Sequence, residues 1–174
     1  MPFLIALAGI AAAVYFFVIR ARNAADVAHD VVDMANDVRL AARRFGFVRR
    51  TNVHPVESID DPRLAIAALA TAFLELDDLP TAEQRAALTL QLRTTLRADT
   101  AEAEEMSVLG HWFVSECGGP QPAIARLSRK LMKLDGVAQV DPLLTVLGKI
   151  TGPAGLSDKQ RDALADIKRA FRIK

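Results

Sequence analysis

Residues 61–76 read DPRLAIAALATAFLEL, and this stretch carries a strong helix signal. Asp61 followed by Pro62 is a favourable N-cap and first-turn pair, because a carboxylate accepts a bond from a free backbone N–H and proline tolerates the first helical position. Apolar residues then recur at helical spacing. They are Leu64, Ala67, Leu69, Phe73 and Leu76. We therefore predict a strongly apolar helix that begins at Pro62.

Capping and stop signals predict further helices along the rest of the chain. These helices are predicted from Thr81, from about Thr100 to Gly118, from Pro122 to Leu134, from Asp141 to Ile150 and from Ser157 to Ile173. The first and last of them begin with a capping box, Thr81 to Gln84 and Ser157 to Gln160. No stretch reads as an alternating strand bounded by turn residues. The sequence therefore predicts an all-α fold in which residues 62–174 form a compact bundle of about six helices.

An uncharged apolar run stands near the N-terminus. Residues 2–19 read PFLIALAGIAAAVYFFVI, and Arg20 and Arg22 follow at once. At about 1.5 Å per residue this run spans about 27 Å, close to the hydrocarbon thickness of a bilayer. We therefore predict a transmembrane anchor within residues 1–22. A cleaved secretory signal is the alternative, but no Lys or Arg precedes the run, and it is longer than the usual signal core of about 7–15 residues.

Basic residues follow this run and predict its orientation. Positively charged flanks stay in the cytoplasm, so we expect the N-terminus outside and the C-terminal domain on the cytoplasmic side of a bacterial-type inner membrane. The single cysteine, Cys117, agrees with that side, because a lone thiol forms no intramolecular disulfide. The formal net charge of +1 shows no concentrated basic character, and we therefore expect no nucleic-acid partner.

Residues 23–47 continue as a predicted amphipathic helix of coiled-coil type. Its apolar residues alternate in steps of three and four, and we call this set the apolar seam: Ala24, Val27, Val31, Met34, Val38, Ala41 and Phe45. Such a stripe must bury against another surface. Two interpretations remain open: the seam packs on the chain's own domain, or it pairs with a second copy or another membrane protein. Residues 48–61 break the period, contain Pro55 and are predicted to be a linker.

Two segments of the predicted bundle resemble each other and a known family. In each, a helix ends at acidic residues and a turn leads into another helix, at residues 67–83 and again at residues 127–141. This pattern resembles the TerB-like domain, which is named after tellurite-resistance proteins and also occurs in membrane-anchored DnaJ-like co-chaperones behind a single N-terminal anchor. The likeness covers about residues 60–174. It implies a compact all-helical domain.

The same resemblance implies acidic side chains that bind a divalent cation at the two turns. Carried over to this chain, the candidate metal ligands are Asp77, Asp78 and Glu83 at the first turn and Asp135 and Asp141, with Gly136 between them, at the second. Clustered carboxylates and turn carbonyls are ligands that a hard cation such as Ca²⁺ accepts. The alternative is that these acids cap helices and shape turns. No cofactor beyond such a cation is expected.

The sequence lacks the familiar catalytic signatures. It has no glycine-rich phosphate loop, no cysteine pair for zinc and no Gly-x-Ser-x-Gly elbow. His111 and Cys117 are six positions apart and so do not share a helix face as neighbours. We expect His111 to lie beside the aromatic core, His54 to point into solvent and Cys117 to be a small buried residue. We predict no catalytic residue.

These patterns favour a non-enzymatic, membrane-tethered helical interaction module at the cytoplasmic face, such as an accessory or assembly subunit of a membrane complex. Its expected partners are the lipid bilayer and a membrane protein or a second copy of the chain. The interaction surface assigned to the seam consists of Val27, Val31, Met34, Val38 and Phe45. The alternative function is a metal-responsive stress protein of the tellurite-resistance type that binds a cation at the two acidic turns.

Overall fold

Six α-helices and two 3-10 helices account for the regular structure of the described residues, which contain no strand. The computed structural model describes residues 38, 41, 45, 47, 52–77, 79–151 and 155–173. The helices are α1 (Pro62–Leu74), α2 (Ala82–Leu96), α3 (Thr100–Glu116), α4 (Pro120–Asp135), α5 (Val140–Ile150) and α6 (Asp158–Ala170), with 3-10 helices at Pro55–Ser58 and Gly136–Gln139. The all-α prediction is confirmed for this part of the chain.

Helix α1 lies at the centre of the bundle. All of residues 64–74 are buried, as expected for a helix that is apolar on every side. Helices α3 and α4 pack against it most extensively, and α5 packs against it to a lesser extent. Helix α2 packs mainly on α5 and α3, and α6 packs on α4. This strongly apolar helix is therefore the one around which the others assemble.

Local capping sets the starts of several helices. The Asp61 carboxylate accepts a bond of 2.8 Å from the backbone N–H of Arg63, as the Asp-Pro signal predicts. Reciprocal capping boxes start α2, α3 and α6; the pairs are Thr81 with Gln84, Asp99 with Glu102 and Ser157 with Gln160. The first and third boxes confirm the predicted ones. The second was not anticipated, although Asp99 and Glu102 have the spacing of a capping box.

The start of α5 differs from the prediction. Asp141 was expected to open this helix, but α5 begins at Val140 and its N-cap, Gln139, makes no side-chain capping bond. The 3-10 helix Gly136–Gln139 leads directly into it, and Val140 already has right-handed helical angles. Because the backbone enters α5 without an extended residue, Asp141 has no capping position to occupy.

The described part of the predicted linker belongs to the core. Val56 and Ile59 have no exposed surface, and Pro55–Ser58 forms a 3-10 helix. The Lys130 ammonium on α4 donates a bond of 2.8 Å to the Glu57 carbonyl oxygen, which ties this segment to the bundle. Their burial could not be predicted from the sequence, because the two apolar residues stand among polar ones and follow no helical or strand period. The domain boundary predicted at Pro62 therefore cuts through the core.

The described residues of the apolar seam also pack on the domain. Ala41 is buried, and Val38 and Phe45 are partly buried against the same core, as is Phe47, which lies two residues beyond the seam. The ring of Phe47 lies edge-on to Trp112 at 5.7 Å and to Phe113 at 5.3 Å between centroids. Within unit Val38–Lys174, the C-terminal end of the seam thus has a partner in its own chain.

The predicted anchor and the rest of the seam, including Val27, Val31 and Met34, lie outside the described residues. Among the helices that are described, none combines the length and the apolar character needed to cross a bilayer.

Candidate functional site

An open, largely apolar pocket of about 430 Å³ lies between α1, α2 and α3. Its walls carry aliphatic side chains from each of these helices and from the connection between α1 and α2: Leu74, Leu79, Leu88 and Val108. Pro80 completes the rim on that connection, and Leu79 there is 85% exposed. Pockets of this size and character are where small molecules or partner side chains bind proteins. We refer to it as the α1–α3 pocket.

A histidine and a carboxylate form an ion pair at one side of the α1–α3 pocket. His111 Nδ1 on α3 lies 2.8 Å from Glu75 Oε1 at the end of α1. The Glu75 side chain is 13% exposed, whereas that of His111 is 48% exposed. His111 was expected beside the aromatic cluster, but its neighbours in sequence, Trp112 and Phe113, fill that position, and His111 itself faces Glu75. His111 and Trp112 lie in different environments because the side chains of adjacent residues in an α-helix point about 100° apart.

The hydroxyl groups in the pocket wall are already used within their own helices. Thr71 Oγ1 donates to the Ala67 carbonyl at 2.9 Å, and Ser107 Oγ donates to the Ala103 carbonyl at 3.0 Å. Thr89 Oγ1 donates in the same way to the carbonyl oxygen of Arg85 at 3.2 Å. A ligand in this pocket therefore meets hydroxyl oxygens that can accept bonds but have no proton left to donate. The wall acts mainly as an apolar surface.

The charged groups of the rim have opposite signs. Arg85 on α2 donates one guanidinium N–H to the Pro80 carbonyl oxygen, and Glu104 is exposed on α3. Both residues line the α1–α3 pocket, as do the paired Glu75 and His111. The charges of the rim therefore nearly balance, and the pocket favours neither a strongly acidic nor a strongly basic ligand.

The Glu75 contact changes the titration of His111. Its hydrogen bond to Glu75 raises the pKa of His111 above the ordinary value of 6.5, and partial burial opposes that rise. A raised folded-state pKa stabilises the protein below the unfolded value, and this stabilisation is lost as the pH rises through the folded pKa. Because the imidazole is half exposed, the energetic effect is small.

Substitution of Glu75 tests this pair. We expect Glu75→Gln to move the His111 titration midpoint, followed by NMR of the imidazole protons, down toward 6.5, because the neutral amide no longer favours the imidazolium. The variant should lose more stability at pH 5.5 than at pH 9. His111→Gln assigns the resonance. An unchanged midpoint would show that Glu75 does not hold the imidazolium in solution.

The single cysteine is half-buried at the end of α3. Burial raises the pKa of the Cys117 thiol above its ordinary value, and the nearby positive charge of Arg126 offsets part of that rise. A thiol with a raised pKa stays protonated near neutral pH and is a poor nucleophile.

His54 was expected to point into solvent. Its Nε2 instead lies 3.1 Å from the Glu116 carbonyl oxygen.

The predicted metal ligands lie on exposed surfaces. Asp77, Glu83, Asp135 and Asp141 are all exposed, and Asp78 lies outside the described residues. Glu83 Oε2 accepts from Thr81 Oγ1 at 3.4 Å, and the Asp135 carboxylate accepts from the Gln139 amide. Nowhere in the described part of the chain do three or more His, Cys, Asp or Glu side chains converge as a metal site requires. Cation binding at these turns stays a prediction.

Sequence reasoning missed the α1–α3 pocket and its ion pair. Glu75 and His111 are 36 positions apart, and neither belongs to a motif with characteristic spacing. The signal that could have been used was weak: Leu79 is a large apolar residue between the acids Asp77 and Asp78 and the turn residue Pro80.

Comparisons with known proteins give no assignment: no protein-family model matches this chain, and no match was found among curated proteins or solved structures. The resemblance to the TerB-like domain therefore remains a prediction that rests on the two acidic turns and on the order and lengths of the helices.

Proposed function

We propose that this protein is a membrane-tethered, non-enzymatic interaction module whose helical domain binds a partner at the cytoplasmic face, as an accessory or assembly subunit of a membrane complex. The observation that carries the proposal is the α1–α3 pocket, an open and largely apolar recess whose wall hydroxyls are bonded within their own helices. Such a recess supplies apolar surface on which a partner side chain can bind. The apolar run at residues 2–19 supplies the tether.

The tether raises the effective concentration of the domain near other membrane proteins without any new contact. A pocket with low affinity can then bind a specific partner, because both proteins are confined to the same membrane surface. The basic residues that follow the run, Arg20 and Arg22, support the cytoplasmic orientation of the domain.

Deletion of residues 2–19 tests the tether. We expect the full chain to remain in the membrane pellet after an alkaline carbonate wash, and the shortened chain to appear in the supernatant, because the deletion removes the apolar run.

Cysteine labelling tests the orientation of the domain. Val137→Cys in a Cys117→Ser background provides an exposed thiol, since Val137 is 60% exposed. A membrane-impermeant maleimide should label it in inverted vesicles and not in intact spheroplasts. Equal extraction of both chains contradicts the tether, and labelling in spheroplasts contradicts the orientation.

The pocket is tested by co-purification from gently solubilised membranes. Leu79→Ser removes an apolar side chain from the rim of the recess at an exposed position, so the fold should tolerate it. Val137→Ser is the matched control at an exposed position that is not among the pocket residues. We expect the partner that co-purifies with the unmodified chain to be depleted by Leu79→Ser and retained by Val137→Ser. Equal recovery with both variants contradicts the pocket as the binding surface.

A further inference from the structure

A protruding apolar side chain and an apolar cavity occur side by side on this domain. Leu79 is the most exposed of the large hydrophobic residues in the described part of the chain, at 85%, and it stands at the rim of the α1–α3 pocket. A surface patch that carries both a knob and a hole is self-complementary, because a two-fold rotation places each knob opposite the other copy's hole. We propose that this patch joins two copies of the chain, with Leu79 of each copy inserted into the pocket of the other.

The rim of the pocket carries charges of both signs, which is compatible with a contact between two copies. Arg85 and Glu104 have opposite charges and border the same pocket from α2 and α3. In the proposed contact the Arg85 side of one copy lies toward the Glu104 side of the other, and the two-fold symmetry repeats this pair of opposite charges once. Arg85 uses one guanidinium N–H on the Pro80 carbonyl, which leaves further donors for a carboxylate. Glu75 and His111 are hydrogen-bonded to each other at one side of the pocket.

The favourable free energy of such a contact comes from the burial of apolar surface. The wall hydroxyls are bonded within their own helices, so an entering leucine side chain displaces water from the pocket without breaking the bonds that these hydroxyls donate. The inserted Leu79 also loses its own exposed surface. One knob and one pocket per copy give a weak contact in dilute solution. This inference rests on the proposed tether, because confinement to one membrane makes such a weak contact sufficient.

Disulfide trapping between differently tagged full-length chains tests the proposal. In a Cys117→Ser background, one chain carries Leu79→Cys and the other Val108→Cys, and the two are produced together in one membrane. Because each chain has a single cysteine, only contact between copies can form a disulfide. We expect the Leu79–Val108 pair to form the mixed disulfide on the order of tenfold more than a Leu79–Val137 pair, whose second position is exposed and does not line the pocket. Equal yields overturn the proposal.

Charge exchange provides a second readout that a merely structural effect would not give. Arg85→Glu and Glu104→Arg each place like charges across the contact, so each should weaken energy transfer between labelled full-length copies in vesicles by about tenfold in apparent affinity. The double variant restores opposite charges and should recover binding to within about threefold. A double variant that binds no better than the singles overturns the proposal.

The membrane pellet is assayed in the same preparations, which separates this inference from the proposed function. Chains that stay in the pellet but form no Leu79–Val108 disulfide overturn the two-copy contact alone. Chains that leave the pellet overturn the tether itself.

Discussion

Replacement of Ile59 by alanine is expected to lower the free energy of unfolding by about 2–5 kcal/mol, the usual range for an isoleucine truncated in a well-packed core. Ile59 has no exposed surface although it lies just before the first long helix. Its backbone N–H bonds the Val56 carbonyl at 3.2 Å, and Val56 is fully buried as well. The neighbouring Glu57 carbonyl is held by Lys130, so the surroundings cannot collapse easily into the cavity.

Urea denaturation of the full chain in a membrane-mimetic disc measures this effect through the midpoint at constant slope. Val53→Ala is the matched control, because Val53 lies in the same segment and is 45% exposed. Its cost should stay below about 0.5 kcal/mol. If both variants cost equally little, residues 52–61 behave in solution as a linker after all.

Alanine at Gly110 is expected to destabilise the protein by about 1–3 kcal/mol, the cost of overpacking a tight contact. A Cβ at this position would lie 2.6 Å from Thr71 Oγ1, 3.2 Å from the Ala68 Cα and 3.3 Å from the Ala67 carbonyl oxygen. Two of these three neighbours are backbone atoms of α1, and the Thr71 hydroxyl is bonded to that same carbonyl. The central pair of helices must therefore move apart, which outweighs the gain of about 1 kcal/mol from replacing a helical glycine.

Gly148→Ala in α5 is the control, and we expect it to change the free energy of unfolding in the opposite direction. No atom lies within 4 Å of a Cβ built there, and the residue is exposed within a helix. The variant should therefore gain about 0.5–1 kcal/mol from helix propensity and the reduced freedom of the unfolded chain. Thermal or urea unfolding of the two variants side by side separates close helix contact from helix propensity. Stabilisation by both substitutions would contradict the close approach of α1 and α3.

The helices themselves were predictable because their signals are local. Asp61-Pro62 and the boxes at Thr81 and Ser157 fix helix starts through residues no more than three positions away. The order and number of the helices in residues 62–170 follow from these signals and from apolar periodicity. Asp141 shows their limit: an acid before a proline is compatible with a helix start, but a preceding 3-10 helix removed the need for a cap.

Contacts between distant residues could not be predicted in the same way. Lys130 reaches a carbonyl 73 positions away, and without that knowledge Val56 and Ile59 read as scattered apolar residues in a polar segment. Gly110 carries no turn or capping signature, and only the packing of two helices explains why it lacks a side chain. The α1–α3 pocket depends on how three helices diverge, which no single stretch of sequence encodes.

The burial of α1 on all sides also bears on how the chain is made. This helix leaves the ribosome before α3 and α4, which later cover it, so its alanine- and leucine-rich surface is exposed to solvent during synthesis. The insertion machinery reads such apolar segments as they emerge, and it retains those of about 20 residues. With 13 residues, α1 is too short to be retained. Its length thus lets a nascent chain carry a strongly apolar segment that is not long enough to span a bilayer.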